Sequence, residues 1–164
     1  MSNESILSAI KTGMKGEYDS VTTYESAAGS SEGEVREFFQ DRAEEEKRHY
    51  NWLLTYYNEV SAGKTPDRDL VQDAAPATSP IITAEFLKRV GTSKHLTAAI
   101  ATGVLLEATS IRHYQKCAAE SLSPALRYFY EKLAKWEERH YQDLVRIQEE
   151  SERYFWDANN WQPF

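Results

Sequence analysis

Hydrophobic residues recur along most of the chain at intervals of three and four, which is the spacing of amphipathic helices. No segment shows the alternation of apolar and polar residues that is typical of a half-buried strand. The pattern predicts four long helices, at about residues 5–28, from the turn at 29–33 to 61, 93–120 and 124–155. The chain is therefore expected to be all-α.

The segments between these helices predict how they are connected. The spacing of Ser31 and Glu34 predicts a capping box at the start of the second helix. Residues 62–80 contain three prolines and no hydrophobic period, so they predict a crossover, which a short helix at 83–90 extends to about residue 92. Ser123-Pro124 has the order of an N-cap and a first helical proline. Four helices joined short–long–short are typical of a four-helix bundle with one long crossover.

Composition and charge exclude several classes of protein. The 164 residues suit a single domain, placed at residues 1–155, and a formal net charge of −7 leaves no basic stripe for nucleic acid. The longest apolar stretch, residues 96–106, is too short to cross a membrane, and the first five residues do not resemble a signal peptide. We therefore expect a cytoplasmic protein that binds neither nucleic acid nor membrane.

An internal repeat relates the first helix pair to the second. Glu17 matches Glu107 at an offset of 90 residues, within the shared pattern Ala-Ile-x-Thr-Gly-x-x-x-Glu. Glu46-x-x-His49 matches Glu137-x-x-His140 at an offset of 91 residues. The two halves are therefore related hairpins, and each supplies one glutamate from its first helix and one Glu-x-x-His motif from its second.

The positions of these glutamates predict a metal site. Each lies within an apolar stripe on its helix, and no Lys or Arg is expected on the same faces. Counted from the hairpin turns at about 1.5 Å per residue, all four lie at a similar depth, roughly 18 to 22 Å from the turn. Buried carboxylates without a counter-charge cost several kcal/mol. Four carboxylates and two imidazoles suit a pair of iron or manganese ions.

This set resembles the di-iron carboxylate motif of the ferritin-like superfamily, and the sequence AEEEKRHY around Glu46, with the long crossover, is most similar to rubrerythrins. The resemblance implies a ferritin-like bundle with two iron ions, for which manganese or zinc can substitute. It also implies a role for each ligand. Glu46 and Glu137 bridge the ions, Glu17 and Glu107 are terminal ligands, and His49 and His140 complete one ion each.

Two departures from the rubrerythrin pattern affect the expected activity. Cys117 is the single cysteine, so the paired CxxC motifs of a rubredoxin-like domain are missing from this sequence. The resemblance then implies a separate electron donor, either rubredoxin-like or a flavoprotein reductase. Ser110 stands where rubrerythrins carry a further glutamate, three residues after the third-helix ligand. The six-ligand set therefore resembles that of bacterioferritin equally.

The leading functional expectation is a di-iron oxidoreductase that reduces hydrogen peroxide, or dioxygen, and protects against oxidative stress. One alternative is a ferritin-like protein that binds iron and oxidises Fe(II) as its substrate. Another is a di-iron hydroxylase of an organic substrate, which needs an apolar channel to the metals. A metal-free bundle is disfavoured because it would leave four carboxylates buried in the core.

Several further residues carry expectations. Tyr24 and Tyr114 are candidates to hydrogen-bond the glutamates, to supply an electron or to fill the core. Gly13 and Gly103 lie one turn before the glutamates and are expected to admit a bulky side chain from another helix. Simpler interpretations are a solvated face for Glu44, Glu45, Glu138 and Glu149, surface or structural positions for His95 and His113, and a small buried residue for Cys117.

The C-terminal residues 156–164 form an aromatic tail that includes Trp156, Trp161 and Phe164. This much apolar surface is expected to pack on the bundle or on a second subunit. We expect a homodimer, and the long crossover leaves open whether the two hairpins pair within one chain or swap between two.

Overall fold

The computed structural model of the protein describes residues 2–66, 69–71 and 79–159. Within these ranges the chain forms five helices and no strand. The helices are α1 (Asn3–Gly29), α2 (Gly33–Ser61), α3 (Ala84–Thr92), α4 (Lys94–Glu120) and α5 (Pro124–Ala158). The prediction of an all-α four-helix bundle is confirmed, and the short helix predicted in the crossover is α3.

Two antiparallel hairpins make up the bundle. Helix α1 packs along α2, α4 packs along α5, and the hairpins contact each other within the chain through α1 and α4. Helix α3 lies against α5 and α4 beside the end of the crossover. No helix of the described ranges is long and apolar enough to span a membrane.

Four of the five helices begin at hydroxyl side chains that cap them. The oxygens of Ser2, Thr83, Ser93 and Ser123 each accept a hydrogen bond from the backbone N–H three residues later, and these caps start α1, α3, α4 and α5. Pro124 follows Ser123 in the first helical turn, which confirms the predicted start of the last helix.

The predicted capping box at the start of α2 is wrong. Ser31 turns back to the end of α1, where its hydroxyl donates to the Ala27 carbonyl oxygen at 2.8 Å. Glu34 accepts a hydrogen bond from the Thr83 hydroxyl at 2.7 Å. The last carbonyls of α1 need donors, and Gly33, with a φ of +56°, allows the chain to enter α2 without a side-chain cap.

Helix α5 is longer than predicted, because it continues past Phe155 to Ala158. Trp156 therefore lies in the last turns of the helix, with its ring packed edge-on against Phe155 at 4.9 Å between centroids. Both rings line a cavity of about 320 Å³ together with Thr97 and Ile100 of α4. Trp161 and Phe164 lie outside the described residues.

The apolar core consists of two clusters at different heights in the bundle. One lies toward the α1–α2 turn and includes Phe39 and Ile100. The other lies toward the α4–α5 turn and includes Leu53 and Leu133. On every long helix the glutamates and histidines of the repeat fall between residues of the two clusters. The core is therefore interrupted by one polar layer.

Candidate metal centre

The polar layer contains all six side chains that the repeat singles out. Helices α1 and α4 each supply one glutamate, and α2 and α5 each supply a glutamate and a histidine one turn later. None of the six is more than 2% exposed, and they are Glu17, Glu46, His49, Glu107, Glu137 and His140. The equal depth predicted from the sequence is thus observed.

The ligand atoms fall into two overlapping groups, each with its atoms within 4.8 Å of one another. Glu46 and Glu137 belong to both groups. Glu17 and His49 complete one group, and the second is completed by Glu107 and His140. Two shared carboxylates flanked by one carboxylate and one imidazole on each side form the arrangement that a pair of ions would require.

Both imidazoles turn Nδ1 toward the middle of the layer. His49 Nδ1 lies 2.9 Å from Glu137 Oε1 and 3.4 Å from Glu46 Oε2. His140 Nδ1 lies 2.8 Å from Glu46 Oε1 and 3.5 Å from Glu137 Oε2. These approaches are short, yet their angles do not satisfy a hydrogen bond to either nitrogen. The Nδ1 atoms and the carboxylate oxygens therefore converge between the helices.

The unsatisfied polar atoms of the layer fit divalent cations. Within the described residues, both oxygens of Glu46 and Glu137, one oxygen of Glu107 and both Nδ1 atoms are buried without a hydrogen-bond partner. Buried polar groups are almost always paired in proteins, so a cluster of orphans indicates a missing partner. Oxygen and imidazole donors of this kind suit iron, manganese and zinc.

The protonation of the metal-free layer indicates the same need for positive charge. Burial, together with the charges of Glu137 and Glu46, raises the pKa of Glu17 well above its usual value. Burial also raises the pKa of Glu107. Burial lowers the pKa of both imidazoles, but the neighbouring carboxylates outweigh it and hold the pKa of His49 and His140 well above the ordinary value. Protons thus occupy the layer where cations would otherwise bind.

The bridging candidates behave differently. Burial favours a raised pKa for Glu137 and Glu46, but the two histidines outweigh it. As a result the pKa of Glu137 falls to about 2, and that of Glu46 lies well below its usual value. The two carboxylates shared by both groups are therefore ionised at neutral pH, as bridging ligands must be.

The two tyrosines cross between the hairpins. Tyr24 donates its phenolic hydrogen to Glu107 Oε1, and Tyr114 donates to Glu17 Oε1. The sequence predicted contact with a glutamate, but not that each tyrosine reaches the glutamate of the other hairpin.

The glycines of the repeat make this crossing possible. A Cβ atom on Gly13 would lie 3.1 Å from Cε1 of Tyr114, and one on Gly103 would lie 3.2 Å from Cε1 of Tyr24. The prediction that these glycines admit a bulky neighbour is confirmed.

Glu45 was predicted to belong to a solvated face, and that interpretation is wrong. Its Oε2 atom lies 2.5 Å from His140 Nε2. Arg42 donates to Glu45 at 3.0 Å and to Asp143 at 2.6 Å. The expectation that no cation occupies these helix faces is also corrected, because Arg42 is buried one turn before Glu46 and pairs with Glu45 and Asp143.

A different environment surrounds His49. Its ring packs nearly parallel to those of both Trp52 and Trp136, with centroid distances of 5.6 and 5.4 Å. The two indole rings lie 5.2 Å apart. The sequence analysis did not identify this pair of tryptophans. The repeat does contain a signal for it, since the offset of 91 residues aligns Trp136 with Glu45 and Trp52 with Asp143, so the two hairpins differ at both positions.

The remaining candidates lie around the layer. Ser110 is buried, and its hydroxyl faces Gly16 of α1. His113 is half-buried, with Nε2 at 2.9 Å from the Ala9 carbonyl oxygen, which agrees with a structural role. Cys117 is buried as expected, and burial raises the pKa of its thiol to about 11. His95 is exposed.

The model of the protein family described as Rubrerythrin matches residues 9–148. The matched range includes most of both hairpins and all six side chains of the polar layer. No curated protein and no solved structure matches the chain in the corresponding comparisons.

Proposed function

The chain belongs to the rubrerythrin family, and on that premise we propose that it is a non-haem di-iron oxidoreductase that reduces hydrogen peroxide, or dioxygen, with electrons from a separate donor. The observation that carries this proposal is the buried layer of four carboxylates and two imidazoles, whose donor atoms converge in two groups that share Glu46 and Glu137. A role in protection against oxidative stress follows from the reaction.

The proposed ligand set assigns to each ion two side chains of its own and a pair of glutamates that both ions share. Glu46 and Glu137 would bridge the ions, Glu17 and His49 would complete one position, and Glu107 and His140 the other. When bound, the two iron ions supply two electrons and Lewis acidity to the O–O bond. Iron is the metal that the family implies, and manganese or zinc would fit the same donors.

The protein side chains would position the ligands and supply protons. Each tyrosine occupies Oε1 of one terminal glutamate, so that the second oxygen remains directed into the layer. When such a carboxylate accepts a proton on its second oxygen, the tyrosine hydroxyl stays hydrogen-bonded to Oε1 and holds the group in place. Reduction of one peroxide to two waters consumes two electrons and two protons, and the two tyrosine–glutamate pairs provide a matching number of proton sites.

The electron donor is proposed to be a separate protein. Cys117 cannot form a rubredoxin-type iron site alone, because such a site needs four thiolates. A rubredoxin-like protein or a flavoprotein reductase would supply the electrons. We also propose that the protein is cytoplasmic and acts as a homodimer, either with the hairpins paired within each chain or with hairpins exchanged between chains.

The experiment that tests the function is a peroxide challenge of protein loaded with Fe(II) under anaerobic conditions. Iron is counted per chain, and oxidation is followed by optical spectroscopy with peroxide and with air in parallel. We expect two irons per chain and faster formation of a stable oxo-bridged diferric spectrum with peroxide than with air. The Glu46→Gln variant should lose both irons and spectrum, whereas Glu44→Gln, which changes an exposed neighbour, should retain them.

Two outcomes would contradict the proposal. Faster oxidation with air, with uptake continuing far beyond two irons per chain, would indicate an iron-handling protein instead. Failure to bind close to two metals per chain would exclude a di-iron oxidoreductase altogether.

A further inference from the structure

The two halves of the polar layer are equivalent in their proposed ligands but not in the residues behind them. Behind His140 lies a carboxylate, Glu45, and behind His49 lie two indole rings. The repeat makes the exchange explicit, because Trp136 occupies the position of Glu45 in the other hairpin. The two halves therefore differ in the side chains that contact the imidazoles, while the helices of the bundle correspond.

On the His140 side the carboxylate is held in place. Glu45 Oε2 accepts from His140 Nε2 at 2.5 Å and from Arg42 at 3.0 Å. Arg42 is itself anchored to Asp143 of α5 at 2.6 Å. The hydrogen bond fixes one proton on Nε2, so Nδ1, which lies 2.8 Å from Glu46 Oε1, is the nitrogen that loses its proton when a cation binds. The imidazole of His140 is thus oriented as a ligand in advance, and its hydrogen bond to Glu45 makes Nδ1 more basic.

On the His49 side nothing comparable is present. The rings of Trp52 and Trp136 lie at 27° and 26° to the imidazole, so they stack on it. An indole has one N–H and no acceptor, so neither ring can take a hydrogen bond from Nε2. Among the residues that the structure describes, no side chain accepts a hydrogen bond from His49 Nε2.

We propose that the two metal positions are inequivalent, with the position of Glu107 and His140 binding a divalent cation about 10- to 100-fold more tightly than that of Glu17 and His49. Glu45 is the positioning residue that causes the difference, and the protein passes through a stable state with one cation per chain. This proposal rests on the metal centre proposed above. Beyond that centre, it states which of the two positions binds a cation first and which residue causes the order.

A titration with Zn(II) tests the order through the first and second association constants. Two identical positions can also bind in two steps, because the first cation repels the second, so the wild-type constants alone do not show whether the positions differ. The Glu45→Gln variant distinguishes the two cases. If the His140 position is tighter by about 10- to 100-fold, the first constant falls about 5- to 50-fold and the second stays within about twofold.

Equal positions predict the opposite pattern for Glu45→Gln. The first cation would then use the unaltered His49 position, so the first constant would fall at most twofold and the second would fall instead. That result would overturn the proposal. The matched control is Glu44→Gln, which removes the same charge from an exposed neighbour and should leave both constants unchanged.

A second measurement on the wild-type protein does not depend on any variant at the His140 side. Co(II) quenches indole fluorescence at short range, and Trp52 and Trp136 stack on His49. Quenching should therefore be stronger for the second equivalent of Co(II) than for the first, and this difference should be lost in the Trp52→Phe, Trp136→Phe double variant. Stronger quenching by the first equivalent would reverse the order and overturn the proposal. Binding of neither Zn(II) nor Co(II) would instead contradict the di-iron function.

Discussion

Tyr24 of the first hairpin donates its phenolic hydrogen to Glu107 of the second. Tyr114 and Glu17 repeat the contact in the opposite direction. Each hairpin thus donates a hydrogen bond to the first-helix glutamate of the other hairpin. Both bonds lie in the buried interior, where water does not replace a lost donor. The crossing joins the two halves of the site more directly than the apolar packing does.

We expect Tyr24→Phe and Tyr114→Phe each to lower the free energy of unfolding of the metal-free protein by about 1–3 kcal/mol, because a buried carboxyl group loses its donor. Urea denaturation at neutral pH measures the change. Tyr130→Phe is the control, since Tyr130 is also buried but its hydroxyl has no hydrogen-bond partner among the described residues. It should be neutral or slightly stabilising, and equal losses at all three positions would contradict the assigned role.

Gly13, which admits the ring of Tyr114, provides a second test, and Gly16 of the same helix is its control. Gly16→Ala adds a Cβ atom in ordinary contact with Ser110, 3.4 Å away, and should gain up to about 1 kcal/mol from helix propensity. Gly13→Ala, in the same helix as Gly16, places a Cβ atom 3.1 Å from the ring of Tyr114 of α4. It should be less stable than Gly16→Ala by at least about 1 kcal/mol in thermal or urea unfolding, because the ring must shift. Equal stability of the two variants would show that Tyr114 moves without cost.

Metal binding should depend on pH through the imidazoles. The pKa of His49 and His140 is raised in the metal-free protein, so their contribution to stability is present below the unfolded pKa of about 6.5 and is lost as the pH rises through the folded pKa. A bound cation requires both imidazoles neutral. The increase in Tm on adding Zn(II) should therefore grow from pH 5.5 to 8, as differential scanning fluorimetry would show. An increase that shrinks toward pH 8 would contradict this linkage.

Arg42 is expected to be essential to the junction between α2 and α5. It is buried and pairs with Glu45 and Asp143, so Arg42→Met leaves two carboxylates without their cation and should cost about 3–5 kcal/mol of folding free energy. Lys15 makes a pair with Asp19 on the surface, where Lys15 is 70% exposed, and Lys15→Met should change stability little. Comparable losses in the two variants by urea denaturation would contradict the structural role of Arg42.

Much of the fold follows from the sequence because the helices are long and their apolar periods are regular. The predicted bounds of α4 agree with the structure to within one residue, and the doubled Glu and Glu-x-x-His pattern locates the buried layer from the sequence alone. Repetition made this possible, because a single Glu-x-x-His motif on an acidic helix is typical of an ordinary solvated face.

The residues that surround the layer were harder to predict. Glu45 sits among other acids, and its contact with His140 joins residues that are 95 positions apart, so no local pattern indicates it. The Ser31 prediction failed for a related reason: the same hydroxyl can cap the helix that follows or satisfy the carbonyls of the helix that ends, and tertiary burial decides. Repeat alignment indicates where the hairpins differ, but only geometry shows what each difference contacts.

Glu45 and Trp136 occupy equivalent positions in the two halves of the repeat, and this difference bears on how such a site can arise. Two separate, identical hairpins that assembled around a twofold axis would build the same layer of glutamates and histidines, with the same residue behind both imidazoles. In that assembly both hairpins have the same sequence, so a substitution that is favourable next to one histidine is also present next to the other. Covalent linkage of the hairpins removes this constraint, so that one copy can keep a carboxylate while the other acquires an indole. Division of labour between the two positions is thus available to a single chain and not to a symmetric pair of identical hairpins.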